Sequence, residues 1–157
     1  MCMSVTANFI INEELLKLKD VIASNMQAQG LNASGKTSKS LEVVMSDNGG
    51  ALMGRSFFAV LETGRKAGKV PKNFRQIIEK WATDKGLTFE TPAKLRSFSY
   101  LVARKIAAEG TKQYRTGRRT DVFTDAVNET VTSIQNQLGS EVLKEIVTIN
   151  DINEQYI

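Results

Sequence analysis

The chain has 157 residues, 24% of them charged and 41% apolar, with a formal net charge of +4, which suits one soluble domain able to bury a core without metal or disulfide help. It contains no histidine and a single cysteine, Cys2, so Ser-His-Asp and Cys-His nucleophiles, imidazole-bound zinc and intrachain disulfides are excluded. The longest strictly apolar run, Phe57 to Leu61, falls far short of the roughly 20 residues of a membrane-spanning helix. No basic segment precedes the first apolar patch, and the expectation is a reducing aqueous compartment with no membrane.

In chain order, Asn12 to Gln29 follows Ile11 with Leu15, Leu18, Ile22 and Met26 at spacings of three and four, and charged residues lie between them. This is the period of an amphipathic helix, with Asn12 as its expected N-cap and Gly30 as its stop. Ser40 to Asp47 alternates, placing Leu41, Val43 and Met45 on one face of a strand. Asp47-Asn48-Gly49-Gly50 is a turn signal, after which Ser56 to Glu62 is expected to return as the second strand of an antiparallel hairpin. Gly64 to Pro71 reads as a glycine- and lysine-rich loop. Asn73 then caps a helix presenting Phe74, Ile77, Ile78 and Trp81, with Trp81 expected in the core and Gly86 at the end.

Thr91-Pro92 breaks the chain, and Arg96 to Glu109 predicts a third helix through Phe98, Leu101, Val102 and Ile106, closing at Gly110. Thr111 to Arg119 is a polar basic connection, and Thr120 or Asp121 opens a fourth helix through Phe123, Val127, Val131, Ile134 and Leu138. Beyond Gly139-Ser140, residues 140–157 read as an extension: Val142, Leu143, Ile146 and Val147 fit a helix, whereas Ile146 to Ile149 is β-branched enough for a short strand. No internal repeat or linker divides the chain. The expected fold class is therefore a single α+β domain over 1–157, a small antiparallel hairpin sheet packed with about four helices.

Charge is unevenly distributed. Arg65, Lys66, Lys69, Lys72 and Arg75 stand together without an acid, and six basic residues from Arg104 to Arg119 face only Glu109. From Thr120 onward seven acids face only Lys144. Such a chain can join subunits head to tail or engage nucleic acid, or simply carry solvated loops whose charges balance.

Gly30 to Thr37 matches the G-x-x-x-x-G-K-[ST] pattern of phosphate-cradling loops in full. That chemistry needs the loop to leave a strand and enter a helix. Here the predicted order is inverted, helix before and strand after, and no neighbouring parallel strand supplies a magnesium-binding carboxylate. Glu13, Glu14, Glu62 and Glu90 show no spacing that pairs any two in one site. Tyr114 among Arg115, Arg118 and Arg119 is compatible with phosphate contact and single-strand stacking.

The order of short motifs resembles the tail-completion or head–tail joining (neck) proteins of tailed bacteriophages. After an N-terminal helix, Ala33-Ser34-Gly35-Lys36 with Ser40-Leu41 looks like the family's lead into its first strand. Leu61-Glu62-Thr63-Gly64-Arg65 is similar to the close of its second. Gly68-Lys69-Val70-Pro71 followed by Ile77, Ile78 and Trp81-Ala82 resembles Gly-Lys-x-Pro before Ile-x-x-Trp, and Leu101 to Gly110 looks like the family's hydrophobic helix ending in glycine. Lys36-Thr37-Ser38 is more polar than the usual lead, and Ala67 stands where a proline is frequent.

The resemblance implies a structural virion protein rather than an enzyme, with no cofactor, metal or small-molecule substrate. It would be made in the host cytoplasm and form a homo-oligomeric ring at the neck or tail end. The ring would contact portal or adaptor and tail proteins and let double-stranded DNA pass without sequence specificity. On that reading Arg65, Lys66, Lys69, Arg115, Arg118 and Arg119 lie in loops that contact neighbouring subunits or ring partners, and Asp121, Asp125 and Glu129 line the channel. A basic nucleic-acid-binding module and, through Gly30 to Thr37, a small P-loop hydrolase are the alternatives.

Overall fold

The computed structural model describes residues 2–47, 49–117 and 120–154, and among these the side chains outside 2–4, 59 and 148–154. The fold is α+β, with helices and one two-stranded antiparallel sheet. Two compact units are built, the first from residues within Met1–Ala23, Leu41–Met53 and Phe123–Ile157, the second from Ser24–Ser40 and Gly54–Val122.

In the first unit, helix α1 (Cys2–Ala28) begins ten residues before Asn12, so Asn12 is an interior helical residue and not a cap. No glycine or proline precedes Gly30 in the chain, and nothing local stops the helix earlier. Leu15, Leu18 and Ile22 are buried on the stripe the spacing predicts. Strands β1 (Glu42–Ser46) and β2 (Gly49–Met53) pair from Glu42↔Met53 to Ser46↔Gly49. The turn between them is two residues long, Asp47 and Asn48, the second of which lies outside the described residues.

This corrects the predicted second strand. The chain returns at once through Gly49-Gly50-Ala51-Leu52-Met53 instead of at Ser56. Glycines make this a poor strand by propensity, but a side chain on Gly50 would meet Met45 Sδ at 2.5 Å and Leu15 Cδ1 at 2.7 Å. Close approach of the hairpin to α1 therefore requires glycine there.

Helix α6 (Thr124–Glu154) completes the first unit and runs straight through Gly139, which decides the open reading of the C-terminal segment in favour of helix. Ala126 is buried on it. The buried Glu14 carboxylate of α1 accepts a hydrogen bond from Lys17 Nζ at 2.6 Å. Together with hydrogen bonds from Gln137 and Ser133 of α6, this holds the Glu14 carboxyl below the usual range against the opposing effect of burial. The same contact raises Lys17.

In the second unit the end of α1 closes on Gly30, at φ +64°, with Gly30 N–H donating to Gln27 O and Leu31 N–H to Met26 O. This paired pattern satisfies the last carbonyls of the helix. Ser56–Glu62 is helical, a 3-10 turn (Ser56–Ala59) followed by the single turn α2 (Val60–Thr63). Leu61-Glu62-Thr63-Gly64-Arg65 therefore leaves a helical turn and not a strand. Phe58, Leu61 and Glu62 point inward at helical spacing, which an apolar run of this length does not distinguish from a buried strand.

Helix α3 (Phe74–Asp84) has Asn73 at its N-cap position, without a capping bond from its side chain. It packs against α4 (Pro92–Glu109) through a core that includes Ile78 and Ala82, with Ser99 buried on α4. Helix α4 starts at Pro92, four residues before the expected Arg96. Thr91 Oγ1 accepts from Lys94 N–H, and Pro92 occupies the first turn, where its missing N–H has no intrahelical role. A short helix α5 (Lys112–Thr116) capped by Thr111 lies within the expected basic connection.

Candidate interaction surfaces

The basic loop that follows α2 is held by its backbone. Gly64, at φ +74°, leaves no room for a Cβ, which would lie 2.7 Å from Tyr114 N and 2.4 Å from Thr111 Oγ1. On the facing segment Gly110, at φ +81°, is as tight, 2.7 Å from Arg65 O. Two glycines thus let the loop touch the α4–α5 junction main chain to main chain. Arg65 N–H donates to Thr111 Oγ1, Thr111 N–H to Arg65 O, and Gly68 N–H to Ala107 O, each at 2.9 Å.

The base of the loop is held in the same way. Gln113 Nε2 reaches Leu61 O at 2.8 Å, Thr120 Oγ1 at 2.7 Å and also Glu62 O, while Thr120 Oγ1 donates to Leu61 O at 3.0 Å. Glu62 itself is buried.

The expected interface residues fall into different environments. Arg65 turns back on its own loop, with Nη2 donating to Lys69 O at 2.6 Å and the guanidinium 5.3 Å from the Phe74 ring centroid. Its Nε is buried without a partner. Arg65 therefore shapes the loop more than it faces outward.

Lys66 and Lys69 are exposed, and among the described residues neither has an ion-pair partner. Arg115 lies on helix α5, not in a loop as expected, and pairs with Glu109 at 2.7 Å on the surface, where such contacts contribute about 0–1 kcal/mol. Arg118 and Arg119 lie outside the described residues. Of the acids, Asp125 and Glu129 are exposed and share one face of α6, while Asp121 is exposed in the second unit, its backbone carbonyl accepting from Gln29 Nε2 at 3.2 Å.

The loop Gly30 to Thr37 leaves the C-terminus of α1 and enters a 3-10 turn (Ser38–Ser40) and then β1. The helix end nearest it carries negative partial charge, and no following helix aims free N–H groups at a phosphate. It is tied to itself, Asn32 Nδ2 donating to Ser38 Oγ and Ser38 Oγ to Gly35 O. The strand–loop–helix context of a phosphate-binding loop is absent. The loop instead borders a depression in which Trp81 is 41% exposed, so the expected core position of Trp81 is corrected. Ile78 and Ala82, one position further round α3, take that place.

The residues that hold the basic loop, Thr111, Gln113 and Thr120, escaped sequence reasoning. Only the placement of Thr111 directly after Gly110, before a short polar run, carries a capping signal. Among the described residues no group of three or more His, Cys, Asp or Glu side chains is placed to hold a metal ion. No helix among them is long and apolar enough to cross a membrane. Comparison of the chain with family models, with curated proteins and with solved structures finds no match.

Proposed function

We propose that the chain is a structural subunit of the neck or tail-end junction of a tailed bacteriophage, one copy in a ring that joins portal or adaptor to tail and lets DNA pass. The observation that carries this reading is the braced basic loop. Its backbone is fixed by the α4–α5 junction, and it presents Lys66 and Lys69 with no acid of the same chain beside them. Cations held in place and left unpaired favour a contact with an external acidic surface, because little ordering entropy is lost on binding.

A ring needs two unlike surfaces on each copy, and the exposed acids Asp125 and Glu129 on α6 offer the second sign of charge. The order of motifs along the chain supports the same class. Lys66→Glu with Lys69→Glu tests it. The double variant is expected to melt within about 0.5 kcal/mol of the parent chain, as exposed substitutions do, while phage carrying it accumulate separate heads and tails. Normal yields of joined, infectious particles would contradict the proposal.

A further inference from the structure

The depression beside the Gly30 to Thr37 loop is an open groove of about 700 Å³ between that loop, the 3-10 turn and one face of α3. Its apolar floor is made by Phe57, Leu61, Ile77 and Trp81, and three of these are more than 40% exposed. Large apolar side chains left together at a surface mark an interaction site. Its cations are Lys36, Arg55 and Lys80. Lys80 is offset by Asp84 at 3.3 Å. Lys36 and Arg55 have no acid partner among the described residues, so the groove is apolar with a positive rim.

The chain carries the complement of this groove on α6. Leu138, Glu141, Val142 and Glu145 line a pocket with Thr6 and Ala7 of α1, inside the first unit. The opposite side of the helix presents Leu143, Ile146 and Val147, exposed by 64%, 49% and 57%. Their i, i+3, i+4 spacing is that of a helix that lays an apolar edge into a groove. From Glu141 to Glu154 four acids stand against Lys144 alone, opposite in sign to the rim.

We infer that the C-terminal half of α6 from a second copy, centred on Leu143, Ile146 and Val147, docks in the groove around Trp81. The contact is head to tail and open-ended, and it rests on the reading of the chain as a ring subunit. A single strand of nucleic acid stacking on Trp81 is the competing occupant. The groove is lined mainly by apolar side chains, and the acidic helix matches both its floor and its rim, so the second copy is favoured.

Trp81 is the only tryptophan in the chain, so its emission reports on the groove directly. With rising concentration of the full chain, we expect a blue shift of Trp81 emission in step with the growth of sedimenting mass. Leu143→Glu with Val147→Glu removes the helix edge, and Lys36→Glu with Arg55→Glu removes the rim. Each double variant should weaken self-association by about tenfold or more, with far-UV circular dichroism unchanged.

A mixture of the two variants retains one intact groove and one intact edge. It should form a heterodimer and nothing larger. A chain that stays monomeric at all concentrations, association without a Trp81 shift, or variants that associate like the parent would each overturn the inference. So would a Trp81 shift on adding a single-stranded oligonucleotide that Leu143→Glu with Val147→Glu leaves as it was, in the absence of self-association. Absence of the chain from phage particles bears on the ring reading and leaves these solution outcomes unchanged, so the two can fail separately.

Discussion

Gly64 and Gly30 both hold positive φ, yet the structure asks different things of them. A Cβ at Gly30 meets nothing within 4 Å, whereas at Gly64 it would strike the Tyr114 backbone nitrogen at 2.7 Å. Gly30→Ala should therefore cost about 1–2 kcal/mol, the left-handed conformation alone, and Gly64→Ala clearly more in urea denaturation, because the loop has to leave the α4–α5 junction. Equal losses would mean that the loop is not braced there.

Glu14 gives a pH prediction. Its carboxyl is lowered in the folded chain, so its contribution is present above the ordinary carboxylate range and is lost as pH falls through the lowered value. Lys17 is raised, so its contribution holds below the ordinary lysine range and fades as pH rises through the raised value. Glu14→Gln should flatten the acid side of the stability profile, measured as urea midpoints stepped down from neutral pH. An unchanged slope would show that Glu14 is not the group being titrated. Nothing in the sequence marks Glu14 apart from its neighbour Glu13, because Ser133 and Gln137 approach it only when α6 is in place.

At the scale of elements, the longest periodic segments were legible. The stripe from Leu15 to Met26 gave α1, Leu41, Val43 and Met45 gave β1, and the glycines at 30 and 86 marked where helices stop. What misled was short. Phe57 to Leu61 is as apolar as a strand, and β2 is rich in glycine because Gly50 must sit against Leu15, so propensity pointed to the wrong partner for β1.

Trp81 shows a different limit. Ile77 and Trp81 form one i, i+4 pair on α3, and Ile78 and Ala82 form the adjacent one. Periodicity alone does not tell which pair meets the core. For α6, Gly139 sits inside the helix with no atom near its missing side chain. Gly139→Ala should stabilise the chain by about 0.5–1 kcal/mol, read from the same denaturation curves. A loss of stability would argue against a continuous helix through this position.

For the whole molecule, the sequence shows where charge accumulates but not which charges are free. Arg65 counts toward the basic stretch and yet folds back onto Lys69 O and Phe74, and Arg115 is partly answered by Glu109, leaving Lys66 and Lys69 as the described cations turned outward. Backbone contacts across Gly64 and Gly110 produced that sorting, and composition carries no trace of them. The acids divide as well: Asp125 and Glu129 share a helix face, and the channel role expected for them predicts that neutralising both slows DNA release from particles. Unchanged ejection kinetics would remove that role.

The central claim, that this chain is a ring component of a virion, is tested most directly by quantitative mass spectrometry of purified phage particles from the lysate that encodes it. Its copy number is compared there with that of the major capsid protein. The account predicts a low, fixed, ring-sized number in every preparation, and absence from mature particles would contradict it.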